Sequence, residues 1–179
     1  MPGSRRLSQR ISEGDGIAII VRVADVESAR VAEAEGAKAL AIGHAIPGIR
    51  EATTLPLLWT GSSAPADADA VVLRPDGHAN HDAIEFVVDV RDEEELELAL
   101  ELLDPEIFLL GGEGSDEHDD PLDAVLELLP DVPAGKLAIA DVAVESRDDV
   151  LALERAGMDA VLVPAGSVAG LVGHAPFDV

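Results

Sequence analysis

Cysteine and tyrosine are absent from this 179-residue chain, and its aromatic residues are three phenylalanines and one tryptophan. Without cysteine there is neither a disulfide framework nor a thiolate metal site. So few rings leave no base-stacking platform for single-stranded nucleic acid. Basic charge is scarce too: 12 Lys and Arg, only Lys38 and Lys136 being lysines, stand against 36 Asp and Glu, for a formal net charge of −24. A surface of that sign repels phosphodiester backbones and anionic lipid, which sets nucleic acid and membranes aside as partners. Long apolar runs are missing as well. The longest weakly charged stretch, 160–173, is too short and too rich in Gly and Pro to span a bilayer, and MPGSRRLSQRISEGDG at the start has no apolar segment after its basic residues. The expectation is a cytoplasmic protein.

What is abundant is carboxylate. It reads either as an acidic face for a basic partner or cations, or as a surface kept soluble by self-repulsion in a salt-rich cytoplasm. On the second reading, screening weakens the repulsion among the 36 carboxylates, so the melting temperature is expected to rise from low to high potassium chloride. A flat or falling trend would mean that the acidic residues are compensated locally.

Short β-branched runs alternate with helical segments along the whole chain, the pattern of parallel βα units in one domain, 1–179. Strands are expected at 17–23, 39–43, 57–60, 70–73, 85–90, 107–110, 137–140 and 160–163. Helices are expected at 26–35, 93–103, 122–129 and 147–156, where apolar residues recur at spacings of three and four. Ser146 reads as an N-cap, with Asp148 and Asp149 well placed in the first turn. Eight such strands predict an α/β fold of the (β/α)8 kind, which usually takes about 200 residues or more. The deficit is local. Segments 61–69 and 74–83 are rich in Pro, Gly, Asp and Asn, and each is shorter than the roughly dozen residues of a helical crossover, so the third and fourth helices are expected to be reduced or missing. An open doubly wound sheet is the alternative architecture.

Certain residues carry a likeness. Val88-Asp89-Val90-Arg91-Asp92-Glu93-Glu94-Glu95-Leu96 is close to V-E-V-H-D-E-E-E-L, and LDAVLELLPDVP (122–133) and ESRDDVLALERAGMDAVLV (145–163) follow in order; IAIIVR, LPLL and ADAVVL match more weakly in the first half. In these segments the chain resembles indole-3-glycerol phosphate synthase, a phosphate-binding (β/α)8 barrel of tryptophan biosynthesis and a lyase. The resemblance implies a barrel whose working residues stand at the C-terminal ends of the strands.

At those ends the chain departs from the family. Ile19 and Val21 occupy the places of the glutamate and lysine in I-A-E-I-K. Trp59, Thr60 and Gly61 follow the third strand, where L-R-K-D supplies a general-acid lysine. Asp89 replaces the fifth-strand glutamate. Gly111-Gly112-Glu113 replaces N-N-R, and Ala140-Asp141-Val142-Ala143-Val144 replaces S-E-S-G-I. Pro164-Ala165-Gly166-Ser167 replaces G-E-S-L. Asp89 and Asp141 are therefore the candidates for acid or base chemistry, with Arg22 and Arg91 available to neutralise them. Gly166 and Ser167 are candidates for holding a phosphate through backbone N–H groups, against the plainer reading of a closing turn.

Other constellations carry less. HANHD around His78 and His81 has ligand types for a divalent ion, beside Asp76 and Asp82, but reads better as a solvated loop. EGSDEHDD (113–120) lacks the spacing of a calcium loop, Gly111-Gly112-Glu113-Gly114 lacks that of a dinucleotide turn, and no G-x-S-x-G elbow occurs. No metal or cofactor is expected. With Asp25, Asp89, Glu113 and Asp141 the catalytic face is expected to be strongly negative. The reading that follows is a degenerate barrel that has lost the synthase reaction and serves as a small binding or interaction module, its ligand an unidentified small molecule, phosphorylated or cationic. The alternatives are an enzyme of changed specificity using Asp89 or Asp141, and a residual synthase. Strand edges left by missing helices could be covered by a second copy, making a homo-oligomer.

Overall fold

A computed structural model describes residues 7–13, 16–61, 68–76, 85–111, 120–144 and 146–165. Eight parallel strands close on themselves in sequence order: β1 (Ala18–Arg22), β2 (Ala39–Ile42), β3 (Leu57–Trp59), β4 (Ala70–Leu73), β5 (Glu85–Val90), β6 (Ile107–Gly111), β7 (Leu137–Asp141) and β8 (Ala160–Pro164). The last pairs with the first through five residues in register, from Ala18 opposite Ala160 to Arg22 opposite Pro164. That pairing excludes the open doubly wound sheet.

Each strand starts and ends within about a residue of its expected position, because the β-branched runs are bounded by turn residues. The same holds for α2 (Val26–Ala34), α4 (Glu93–Leu102), α5 (Pro121–Leu128) and α6 (Arg147–Ala156). Ser146 caps α6 as expected: its hydroxyl accepts from the Asp149 N–H, and Asp149 answers at the Ser146 N–H. Gly157 ends that helix at φ 103°, a left-handed conformation that side chains with a Cβ resist. Between β3 and β4, and between β4 and β5, the described residues contain no helix, which agrees with the reduced third and fourth helices; 62–67 and 77–84 lie outside the described residues. The connection after β2 is reduced as well, to the single turn α3 (Ile49–Ala52).

Two apolar clusters divide along the faces of the strands. Ala18, Ile20, Ala39, Ala41, Leu58, Ala70, Val87, Ile107, Leu109, Ile139, Ala160 and Leu162 fill the barrel interior. The alternate residues, among them Ile19, Val21, Leu40, Ile42, Trp59, Val88, Val90, Phe108 and Leu110, pack outward with buried residues of the helices such as Ala29, Leu96, Val125 and Leu153. A short helix unforeseen from sequence, α1 (Leu7–Ser12), belongs to the interior cluster. Its Leu7 and Ile11, four apart and buried, join the residues that begin the strands, and the Ser8 N–H donates to the Glu85 carboxylate at 3.3 Å. Six residues are too few to form a helix alone, so burial in the barrel's N-terminal end holds this one.

Candidate functional site

The interior rows, followed to the C-terminal ends of the strands, name the side chains at the barrel mouth. Period two carries Ala18 and Ile20 on to Arg22, Leu58 to Thr60, Val72 to Arg74, Val87 to Asp89 and Arg91, Leu109 to Gly111, and Ile139 to Asp141. This corrects one sequence assignment. Ile19 and Val21, set against the family's first-strand glutamate and lysine, belong to the outward cluster, so the residue that ends the inward row of β1 is Arg22. A register one residue off exchanges the two faces of a strand.

Both sequence candidates, Asp89 and Asp141, stand at this mouth, each held by arginine. Arg22 Nη2 donates to both carboxylate oxygens of Asp141, each at 2.8 Å, reaching across β8. Arg74 Nη1 donates to Asp89 Oδ2 at 3.3 Å and lies 3.4 Å from the Asp89 carbonyl oxygen. Arg91 Nη2 is 3.7 Å from the same Oδ2, an ion pair longer than a hydrogen bond. The neutralisation expected from Arg22 and Arg91 is therefore present, joined by a residue the sequence reading overlooked. Arg74 is oriented by Glu95, with which its Nη2 forms a second ion pair, and Glu95 also accepts the Arg91 N–H at 2.8 Å. Asp92 in turn caps α4 by accepting the Glu95 N–H at 2.8 Å. Arg74 was readable in principle, as the residue two beyond Val72 on an inward row; nothing local marks Glu95, whose partner is 21 residues away.

Three arginines and three carboxylates thus pair with one another at the described part of the mouth. Of the four residues expected to make this face strongly negative, Asp89 and Asp141 are each paired with arginine. Asp25, counted toward it, caps α2 by accepting the Ser28 N–H at 2.7 Å, and its carboxyl is held below the ordinary range by that bond. Glu113, Gly166 and Ser167 lie outside the described residues, as do His78, His81 and Asp82. Among the described residues no group of three or more His, Asp or Glu could hold a metal ion. None of their helices is long and apolar enough to cross a membrane.

Thr60 faces the mouth where the family's third-strand lysine would be, and its hydroxyl donates to the Ile42 carbonyl at 3.2 Å. Trp59 before it is buried on the outer face. Gly61 after it is held to glycine by crowding, since a Cβ there would lie 2.7 Å from the Gly43 carbonyl oxygen and 2.9 Å from the Trp59 ring. The turn that ends β3 therefore packs tightly.

Burial pushes the Asp89 carboxyl above its ordinary value of 3.8; Arg91 and Arg74 oppose this, and Asp141 adds to it. The folded state then holds its proton to higher pH than the unfolded chain. The resulting contribution to stability is full below the unfolded pKa and is lost as pH rises from there through the raised folded value. Asp89→Asn removes this titration. Its stability relative to the parent, measured by urea unfolding across a pH series, is expected to improve through that window. Parallel curves would show that Asp89 ionises alike in the folded and unfolded chains.

No family model matches the chain. Among curated proteins it is similar to indole-3-glycerol phosphate synthases. It is 29% identical to that of Alkaliphilus metalliredigens across 66% of this chain and 52% of the relative. For Variovorax paradoxus the figures are 36% across 43% of this chain and 29% of the relative, and for Chlorobaculum tepidum 34% across 46% and 32%. The chain thus spans at most about half the length of these relatives. Its fold matches that of N-acetylmannosamine-6-phosphate 2-epimerase from Clostridium perfringens, with a TM-score of 0.66 at 15% identity, covering 86% of this chain and 88% of that one. The chain is a shortened, closed (β/α)8 barrel similar in sequence to the indole-3-glycerol phosphate synthases.

Proposed function

We propose that the protein is a small-molecule binding module on a shortened barrel, without the synthase reaction of its relatives. One observation supports this above others: the inward residue after β3 is Thr60, bonded to a backbone carbonyl, where ring closure in the family calls for a lysine. Asp89 and Asp141 keep acidic groups in the places of two family glutamates, yet both are engaged by arginines. Such an arrangement orders a mouth for binding and provides no cationic acid to protonate a carbonyl.

Melting temperatures of the intact protein with small phosphorylated and cationic molecules test the reading, because a ligand of the folded state raises them by mass action. Binding at the mouth should be weakened by Asp141→Asn. Turnover of the synthase substrate would overturn the proposal. The raised Asp89 carboxyl supports a second reading, proton transfer on a different substrate, which predicts a rate lost in Asp89→Asn while that variant still binds.

A further inference from the structure

Three inward rows end side by side on β5, β6 and β7. The outer two carry carboxylates, Asp89 on β5, in register opposite Leu109 and followed two residues on by Arg91, and Asp141 on β7; the middle one ends in Gly111, which lies in register opposite Asp141. Among the described residues, a Cβ on Gly111 would meet Asp89 Oδ1 at 3.6 Å and Arg91 Cγ at 3.8 Å, both ordinary contacts, and none besides these within 4 Å apart from its chain neighbours. Among the described residues the floor between the carboxylates is therefore free of side chain and open toward Asp141. Each carboxylate takes its hydrogen-bonded arginine from the side away from this gap, Asp141 from Arg22 on β1 and Asp89 from Arg74 beyond β4. Among the described residues Arg91 alone has its stem beside the gap, and its half-exposed guanidinium makes with them only the long 3.7 Å pair with Asp89.

Ligand charge follows from this pairing of three arginines with three carboxylates. A ligand of one sign would leave a charge of the set uncompensated in a partly buried place, which is costly, whereas a zwitterion can enter the ion pairs without disturbing their sum. Resting on the reading of the mouth as a binding site, we infer that the gap over Gly111 seats a small zwitterion of the α-amino-acid type, its ammonium between Asp89 and Asp141 and its carboxylate on Arg91. The spacing sets the ligand's length. With Arg91 Nη2 only 3.7 Å from Asp89 Oδ2, the ligand's two charges must sit close together, as they do on one carbon. Burial keeps the proton affinity of Asp89 raised although two arginines stand beside it.

The test compares melting temperatures of the intact protein with individual α-amino acids, inorganic phosphate and putrescine, in the parent, Gly111→Asn and Arg91→Gln. The Cβ contacts at Gly111 are ordinary, so Gly111→Asn should fold while filling the gap. At least one α-amino acid is expected to raise the melting temperature of the parent, with affinity at least about tenfold weaker in either variant. Should Gly111→Asn not fold, the Arg91→Gln comparison decides alone. If phosphate or putrescine acts and no amino acid does, with the effect removed by Gly111→Asn, the zwitterion is wrong and the binding module stands. No amino-acid shift, or one that survives both variants, overturns the inference; synthase turnover overturns the function beneath it.

Discussion

The purified protein is expected not to convert carboxyphenylamino deoxyribulose phosphate into indole glycerol phosphate at a rate typical of the synthases. A positioned general acid contributes about 10² to 10⁴ in rate, and one electrostatic stabiliser about 10² to 10³. Thr60 stands at the place of the acid, and Gly111-Gly112-Glu113 in place of N-N-R puts a carboxylate where the family has an arginine. Losses inside one catalytic unit do not multiply, yet the largest of them alone lowers turnover by up to about 10⁴. Arg22 keeps a positive group on β1, but both oxygens of Asp141 already engage its Nη2. Thr60→Lys alone is therefore not expected to restore activity. Indole glycerol fluorescence appearing at about one turnover per second, an ordinary enzymatic rate, would show that working residues lie elsewhere in the chain.

Phe108→Ala is expected to produce the largest loss of stability among single core truncations. Phe108 is fully buried on the outward face of β6, in one cluster with Leu96 and Ala99 of α4 and Val125 and Leu128 of α5. Truncating a buried Phe removes its transfer free energy and leaves a cavity, about 3–5 kcal/mol together. In a domain of this size that lowers the melting temperature by roughly 6–20 °C. Val31→Ala is the control: Val31 is 41% exposed on α2, and a surface change of this kind stays within about 0.5 kcal/mol. Equal shifts in the two variants would mean that α4 and α5 do not cover β6 as described.

The strands were legible because parallel strands buried on both faces read as short β-branched runs, and α2, α4, α5 and α6 because each has a cap and an apolar stripe. Ser146 and Gly157 show how far local chemistry reaches: one starts a helix and the other stops it, through bonds within a few residues. α1 and α3 had no such signal, at six and four residues. They exist where tertiary burial replaces propensity.

For the site, sequence by itself determined which residue types were available: acidic groups at the ends of β5 and β7, a threonine and two glycines where a lysine and two asparagines stand in the family. It did not determine which of them face inward on β1. Ile19 and Val21 looked like the informative pair, and the closed barrel turned them outward and Arg22 to the mouth. The tertiary structure alone decided the partnerships. Arg22 meets Asp141 across 119 residues because closing β8 onto β1 brings the two ends of the chain around one ring, and Arg74 meets Asp89 across 15 because β4 pairs with β5. Side-chain direction has a period of two along a strand and is written locally; which rows converge depends on closure, a property of the whole chain.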